Sequence, residues 1–195
     1  MKLVLASKNQ KKLVEMRDIL SHMGVEVCLQ SDVGVDVDVE ETGTTFEENS
    51  LLKARAVMEA SGLPAIADDS GLCVDALGGA PGVYSARYGG PGLDDVGRYR
   101  LLLENMKGQP RGAKFVSVIT CCFPNGDVLT ARGECPGTIA FAPMGEGGFG
   151  YDPVFFIPSL KKTFAQLTPE EKNAISHRGN ALTAFREKLE QYLNK

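Results

Sequence analysis

The chain has 195 residues, enough for one domain to bury a sizeable core without disulfide or metal staples. Hydrophobic residues make up 43% and charged residues 24%, ordinary globular usage that excludes wholesale disorder. The net charge of −4 argues against a nucleic-acid coat or a polybasic membrane binder, while leaving room for a local basic cluster around a small anion. Every apolar run is too short to span a bilayer, and the stretch from Leu3 to Ala6, which stops before Lys8, is too short for a secretory signal. Cys28, Cys73, Cys121, Cys122 and Cys135 include no C-x-x-C pair, and His22 and His177 are too few for a histidine-based metal site. They read as reduced thiols in the core of a cytoplasmic protein.

Residues 2–6 read as a short buried strand, followed at once by the polar Ser7, Lys8, Asn9, Gln10, Lys11 and Lys12. A helix is predicted from there to Met23, with Leu13, Met16, Leu20 and Met23 as its apolar stripe and Gly24 as its stop. Residues 25–29 alternate like a second strand. Asp36, Asp38, Glu40, Glu41, Glu47 and Glu48 then follow with no basic residue among them. Thr45 with Glu48 makes a capping box for a helix ending near Ser61 and Gly62. Residues 65–67 form a short buried strand running into Asp68-Asp69-Ser70-Gly71, and a Gly- and Pro-rich loop covers residues 78–92. The next helix is expected to bury Val96, Tyr99, Leu103 and Met106. Residues 115–123, apolar on both faces, read as a central strand. It turns at Pro124-Asn125-Gly126-Asp127 into a hairpin partner over residues 128–132. A second Gly-rich segment at 145–153 precedes a strand over 154–157. Thr168-Pro169-Glu170-Glu171 starts a helix, and the last helix carries Leu182, Phe185, Leu189 and Tyr192 inward. With no linker long enough to separate independent domains, residues 1–195 read as one α/β domain with a mixed sheet.

Five constellations carry chemistry. Ser7-x-Asn9-x-x-Lys12 lies between a strand and a helix start, where free N–H groups and the helix dipole favour an anion. It is not a Walker A loop, since the glycines and the Gly-Lys-Ser/Thr ending are missing; a solvated lysine cluster is the alternative. On the helix after Thr45, about 100° per residue places Phe46, Asn49, Lys53, Ala56, Val57 and Ala60 on one stripe, with Glu48, Arg55 and Glu59 opposite. An inward lysine is costly unless it meets an anion or snorkels out. Asp68 and Asp69, at the C-terminal end of a strand, would make with Glu40 or Glu41 an oxygen-rich magnesium site completed by water and phosphate; an Asp/Ser turn is the plainer reading. In Gly147-Gly148-Phe149-Gly150-Tyr151-Asp152-Pro153 the glycines permit close approach and the aromatics offer a stacking surface for a base, or else sit in the core of a hairpin loop. Lys172 and His177 lie about 140° apart on a continuous helix, but Ser176 could cap a new helix and let His177 and Arg178 line a pocket. Together these are the parts of a nucleoside triphosphate site.

The same residues resemble a known family. Ser-x-Asn-x-x-Lys at 7–12, Glu-Glu-Thr-Gly-x-Thr-Phe-x-Glu-Asn at 40–49 with Lys53, and Ala-Asp-Asp-Ser-Gly-Leu at 67–72 match in order. So do Gly-Gly-Ala-Pro-Gly-Val-Tyr-Ser-Ala-Arg-Tyr at 78–88, Gly-Gly-Phe-Gly-Tyr-Asp-Pro at 147–153 and Ile-Ser-His-Arg at 175–178. They are similar to the bacterial inosine triphosphate pyrophosphatases, also called dITP/XTP pyrophosphatases; Ser50, where alanine is frequent, is a mild departure. The resemblance implies an elongated mixed β-sheet with flanking helices and two lobes around a central cleft, usually as a homodimer. It implies Mg²⁺-dependent hydrolysis of ITP, dITP and XTP to monophosphate and pyrophosphate. By resemblance Asp69 is the proton acceptor, and Glu41 with Asp69 holds Mg²⁺, with Asp68 as a candidate helper. Ser7, Lys8, Asn9, Gln10, Lys11, Lys12, Lys53, Ser70 and Lys172 would bind phosphate and sugar. Phe149 would stack on the base beside Gly150, Tyr151 and Asp152, and His177 and Arg178 would meet its 6-oxo edge. Donors at that edge reject adenine, whose amino group would face them unpaired, at about 1–3 kcal/mol per buried group. The alternatives are a pyrophosphatase for modified pyrimidine nucleotides and a sensor that binds nucleotide without cleaving it.

Overall fold

The computed structural model describes all 195 residues. Strands β1 (Lys2–Leu5) and β2 (Glu26–Leu29) pair in parallel, Lys2 opposite Glu26 and Leu5 opposite Leu29. Between them lies α1 (Gln10–Leu20), whose Leu13, Met16 and Leu20 face the core as predicted, before a 3₁₀ turn over Ser21–Met23. Gly24 ends that turn at a φ of 67°, a left-handed conformation that suits a residue without Cβ. The capping box of Thr45 and Glu48 starts α2 (Phe46–Ser61), which closes at left-handed Gly62. Glu48, Arg55 and Glu59 face solvent as expected, but Ser50 and Ala54 join Phe46, Asn49 and Val57 in the buried set while Ala60 is exposed.

Strand β3 (Ala65–Val74) pairs with β1 in parallel, Val4 opposite Ala65. It is much longer than the predicted 65–67, so Asp68 and Asp69 lie inside a strand rather than beyond its end. The polarity that reads as a turn is neutralised by partners from other elements, which the sequence of the strand alone cannot reveal. Helix α3 (Asp95–Asn105) turns Leu102 into the core, followed by Met106, whereas Val96 is exposed. Strands β4 (Gly112–Cys122) and β5 (Val128–Ile139) flank the predicted turn. Strands β6 (Phe155–Ile157) and β7 (Lys162–Thr163) follow, with β5–β6 and β6–β7 antiparallel. The sheet runs β2-β1-β3-β4-β5-β6-β7, mixed as expected and with β4 in its middle. Helix α4 (Pro169–Ile175) starts at the Thr168 box; Ser176 is extended, and α5 (His177–Leu193) begins anew after it.

The chain divides into two compact units, the first of Met1–Asp69, Ser117–Gly133 and Arg178–Lys195, the second of Ser70–Val116 and Glu134–His177. In the first, Leu3, Leu5, Leu13, Met16, Leu20, Ile66, Ile119, Leu182, Phe185 and Leu189 pack as one core. In the second, Leu72, Leu102, Met106, Phe115, Phe155 and Phe164 form another. The five cysteines form no disulfide, and burial raises the thiol pKa of Cys135 to about 11. No helix is long and apolar enough to cross a membrane.

Candidate active site

In the first unit a cavity of about 320 Å³ is lined by residues that include Ser7, Lys8, Asn9, Lys12, Glu41, Lys53 and Asp68. Three elements converge there: the β1–α1 junction, α2 with the segment before it, and β3. The helix start is not a set of free donors, as the sequence suggested. Asn9 Oδ1 accepts from the backbone N–H of Lys11 at 2.9 Å and of Lys12 at 3.3 Å, and Ser7 Oγ accepts from Asn9 N–H at 3.0 Å. The cationic side chains therefore supply the attraction for an anion. Lys12 reaches inward, while Gln10 and Lys11 are exposed and do not line this cavity. Exposed Lys8 pairs with Asp36 at 2.8 Å.

Asp68 and Asp69 meet different partners. The Asp68 side chain has no exposed surface; Lys12 Nζ lies 2.7 Å and Arg178 Nη2 3.2 Å from Oδ2, and Ser117 Oγ donates to Oδ1 at 2.5 Å. Burial disfavours its charge, but Arg178 and Lys12 outweigh that and hold its pKa well below the usual carboxylate range. Burial likewise lowers the pKa of Lys12 despite Asp68. Arg178, expected at a base edge, thus has its guanidinium on Asp68 and, through Nη1, on Glu15 of α1.

Asp69 sits in a second cluster. Lys53 Nζ donates to Glu41 Oε1 at 2.9 Å, to Asp69 Oδ1 at 3.1 Å and to the Asp68 carbonyl at 2.9 Å. The inward lysine of α2 therefore meets the anions its position demands. Burial works against its charge, yet Asp69 and Glu41 keep its pKa above the ordinary lysine value. Asp69 goes the other way: burial raises its pKa beyond what Lys53 restores, and its buried Oδ2 has no hydrogen-bond partner. Of the two upstream glutamates, Glu41 is the one on this cluster. Two carboxylate oxygens on one ammonium, plus an orphaned third oxygen, form a hard-oxygen donor set. No third acid, histidine or cysteine closes the group into an all-protein cage. That suits Mg²⁺, which accepts one or two carboxylates and fills its remaining positions with water and phosphate.

The second unit holds a different constellation. Lys172 Nζ pairs with buried Asp152 at 2.9 Å and lies 4.8 Å above the Phe149 ring. The same Asp152 Oδ2 accepts the Phe149 N–H at 3.0 Å. A Cβ at Gly148 would stand 2.0 Å from that oxygen, so the close approach needs glycine there. His177 stacks on Phe115 at 4.6 Å. Tyr151 does not offer the expected stacking face: it is a core residue whose hydroxyl donates to the Ser85 carbonyl at 2.6 Å. Gly150 N–H donates to Asp95, and Ser70 is half-buried on β3. Sequence reading missed Ser117 and Glu15, the partners of Asp68 and Arg178. A serine within the apolar run Phe115-Val116-Ser117-Val118-Ile119 of the central strand was the available signal for the first.

An α/β protein with acids and lysines gathered around an anion-sized cavity belongs to a broad class of phosphate-handling enzymes. Comparison narrows it: the Ham1 family model matches residues 3–188, and the chain belongs to that family. It is 53% identical over 186 residues to the dITP/XTP pyrophosphatase of Shigella flexneri, covering 93% of this chain and 94% of that one. It is 52% identical over 193 residues to that of Haemophilus influenzae, covering 96% and 98%. The Ham1 protein of Staphylococcus aureus superposes with a TM-score of 0.89 at 44% identity, covering 98% of this chain and all of that one.

Proposed function

We propose that this chain is a nucleoside triphosphate pyrophosphatase that hydrolyses dITP, ITP and XTP to the monophosphate and pyrophosphate. The observation that carries this reading is the Asp69–Lys53–Glu41 cluster beside a cavity lined by Lys12, in a chain about half identical to dITP/XTP pyrophosphatases over nearly its whole length. Lys12, Lys53, Ser7 and Asn9 bind the phosphates. Glu41 and Asp69 would hold Mg²⁺, which when bound supplies charge neutralisation across the phosphates. Asp69 has one oxygen on Lys53 and one without a donor; the donor-free oxygen can accept the proton of a water attacking the α-phosphorus, which would leave the Lys53-paired oxygen to share the metal with Glu41. The α–β bridging P–O bond breaks, and its electrons leave on pyrophosphate. Lysine ammonium groups stabilise that departing charge. Asp68, its pKa held well below the usual carboxylate range and its oxygens engaged by Lys12, Arg178 and Ser117, is suited to anchoring Lys12 rather than to taking a proton. In the second unit, Phe149, Lys172 and His177 are proposed to recognise the base. A cytoplasmic homodimer belongs to the same proposal.

The test is product analysis. Purified protein with dITP and Mg²⁺ should give equimolar monophosphate and pyrophosphate; diphosphate with orthophosphate, or binding without turnover, would overturn the proposal.

A further inference from the structure

The segment that carries Glu41 has no regular secondary structure between Val35 and Thr42, yet its carboxylate must stay on one ammonium beside Asp69. Two buried carboxamides fix it, one before Glu41 and one after. Gln30, 3% exposed, donates from Nε2 to the Val37 carbonyl at 3.1 Å, and its own backbone carbonyl accepts from Val35 N–H at 2.9 Å. Its Oε1 meets no protein donor, so this side chain's hydrogen bonding to the protein is spent on the segment. Asn49, fully buried on α2, accepts the Gly43 N–H at 2.8 Å and faces the Gly43 carbonyl at 3.5 Å. A Cβ at Gly43 would lie 2.6 Å from Asn49 Oδ1 and 2.7 Å from Glu48 Cβ, so the backbone is seated directly on the amide.

A buried carboxamide is costly unless it is hydrogen-bonded, and the bonds of these two go to the backbone at Val37 and Gly43, on either side of Glu41. We propose that Gln30 and Asn49 are positioning residues that clamp the segment on both sides of Glu41 and hold its carboxylate ready for a divalent cation. The inference rests on the reading of Glu41 as a metal-holding residue, and the experiment separates the two.

Binding of Mn²⁺ alone to the nucleotide-free protein, followed by electron paramagnetic resonance, is measured for wild type, Gln30→Met, Asn49→Leu, Asn49→Asp, Glu41→Gln and Gln30→Met/Glu41→Gln. Partners that orient a metal-holding group typically change affinity about 10- to 100-fold when removed. Gln30→Met and Asn49→Leu are expected to weaken Mn²⁺ at least about tenfold. They should also raise the metal concentration for half-maximal activity while leaving kcat at saturating metal nearly intact. Asn49→Asp keeps the acceptor for Gly43 N–H and should retain most of the affinity. In the Glu41→Gln background, Gln30→Met should cost nothing more, because its effect passes through Glu41. Equal weakening in both backgrounds, or unchanged Mn²⁺ affinity in Gln30→Met and Asn49→Leu while Glu41→Gln loses it, overturns the clamp alone. Unchanged Mn²⁺ affinity in Glu41→Gln overturns the assignment of Glu41 beneath it.

Discussion

Asp68 and Asp69 are neighbours on β3 and share a name, a strand and a buried setting, yet their surroundings make them opposite kinds of acid. Asp68 is enclosed by two cations and a hydroxyl. Asp69 shares one ammonium with Glu41 and keeps an oxygen with no donor. Successive residues of a strand point to opposite faces, so adjacency in sequence guarantees different company. The depressed pKa of Asp68 and the raised pKa of Asp69 follow from that company. A carboxylate with donors on both oxygens holds a structure together; one with an oxygen that has no donor and a raised pKa can take a ligand or a proton.

The contrast is broken most directly by neutralising each acid in turn. Asp69→Asn should lower turnover of dITP about a thousandfold, within the range for loss of a general base, while nucleotide binding persists in calorimetry and the unfolding temperature stays near that of wild type. Normal turnover in this variant would remove Asp69 from the role. Asp68→Asn leaves buried Arg178 and Lys12 facing a neutral amide, and breaking a buried pair in this way costs about 3–5 kcal/mol. Its urea midpoint should therefore fall clearly, whereas that of Asp69→Asn should not. Equal stability loss in both would erase the distinction.

Titration sharpens the comparison with the sign reversed between the two acids. Asp68 has a folded pKa below its unfolded value of about 3.9, so its stabilisation is complete above that value and is lost as pH falls through the lower folded pKa. Asp69 has a raised folded pKa, so in metal-free protein its ionisation destabilises the fold at neutral pH, and the penalty is relieved as pH falls through that raised value. The stability advantage of wild type over Asp68→Asn should hence shrink on acidification below about pH 4, and the difference from Asp69→Asn should change at higher pH. Denaturant midpoints of the three proteins at pH values from about 3 to 7 check this; a common pH dependence would contradict it.

Much of this arrangement could be read from local pattern. Capping at Thr45 and Thr168, the stop at Gly24, the hairpin at Asn125-Gly126 and the break at Ser176 are local rules acting over a few residues, and the structure follows them. Inward Lys53 was foreseeable because helical periodicity alone put it on the apolar face. What escaped was decided by contacts distant in the chain. The length of β3 depends on Lys12, Arg178, Ser117 and Lys53 neutralising two acids that locally resemble a turn. The place of Arg178 depends on Glu15, far away in sequence, and the burial of Tyr151 depends on the Ser85 carbonyl. That Glu41 rather than Glu40 reaches Lys53 likewise depends on a segment whose path no periodicity describes.

The smallest expected effect tests the contrast at its quietest point. Ser117→Ala removes the 2.5 Å hydrogen bond to Asp68 Oδ1 but leaves Lys12 and Arg178 on Oδ2. Hydrogen bonds to charged groups contribute about 1.5–3 kcal/mol, and the remaining cations share the load, so a loss near the lower end is expected in urea unfolding. Asp68 would lose a donor to its charged form, so its pKa should rise towards, yet stay below, the ordinary carboxylate value. Turnover of dITP should scarcely change, because the reaction is assigned to Asp69. If Ser117→Ala instead abolished turnover in a folded protein, the donor set of Asp68 would be part of the chemistry, and the division of labour between the two acids would fail.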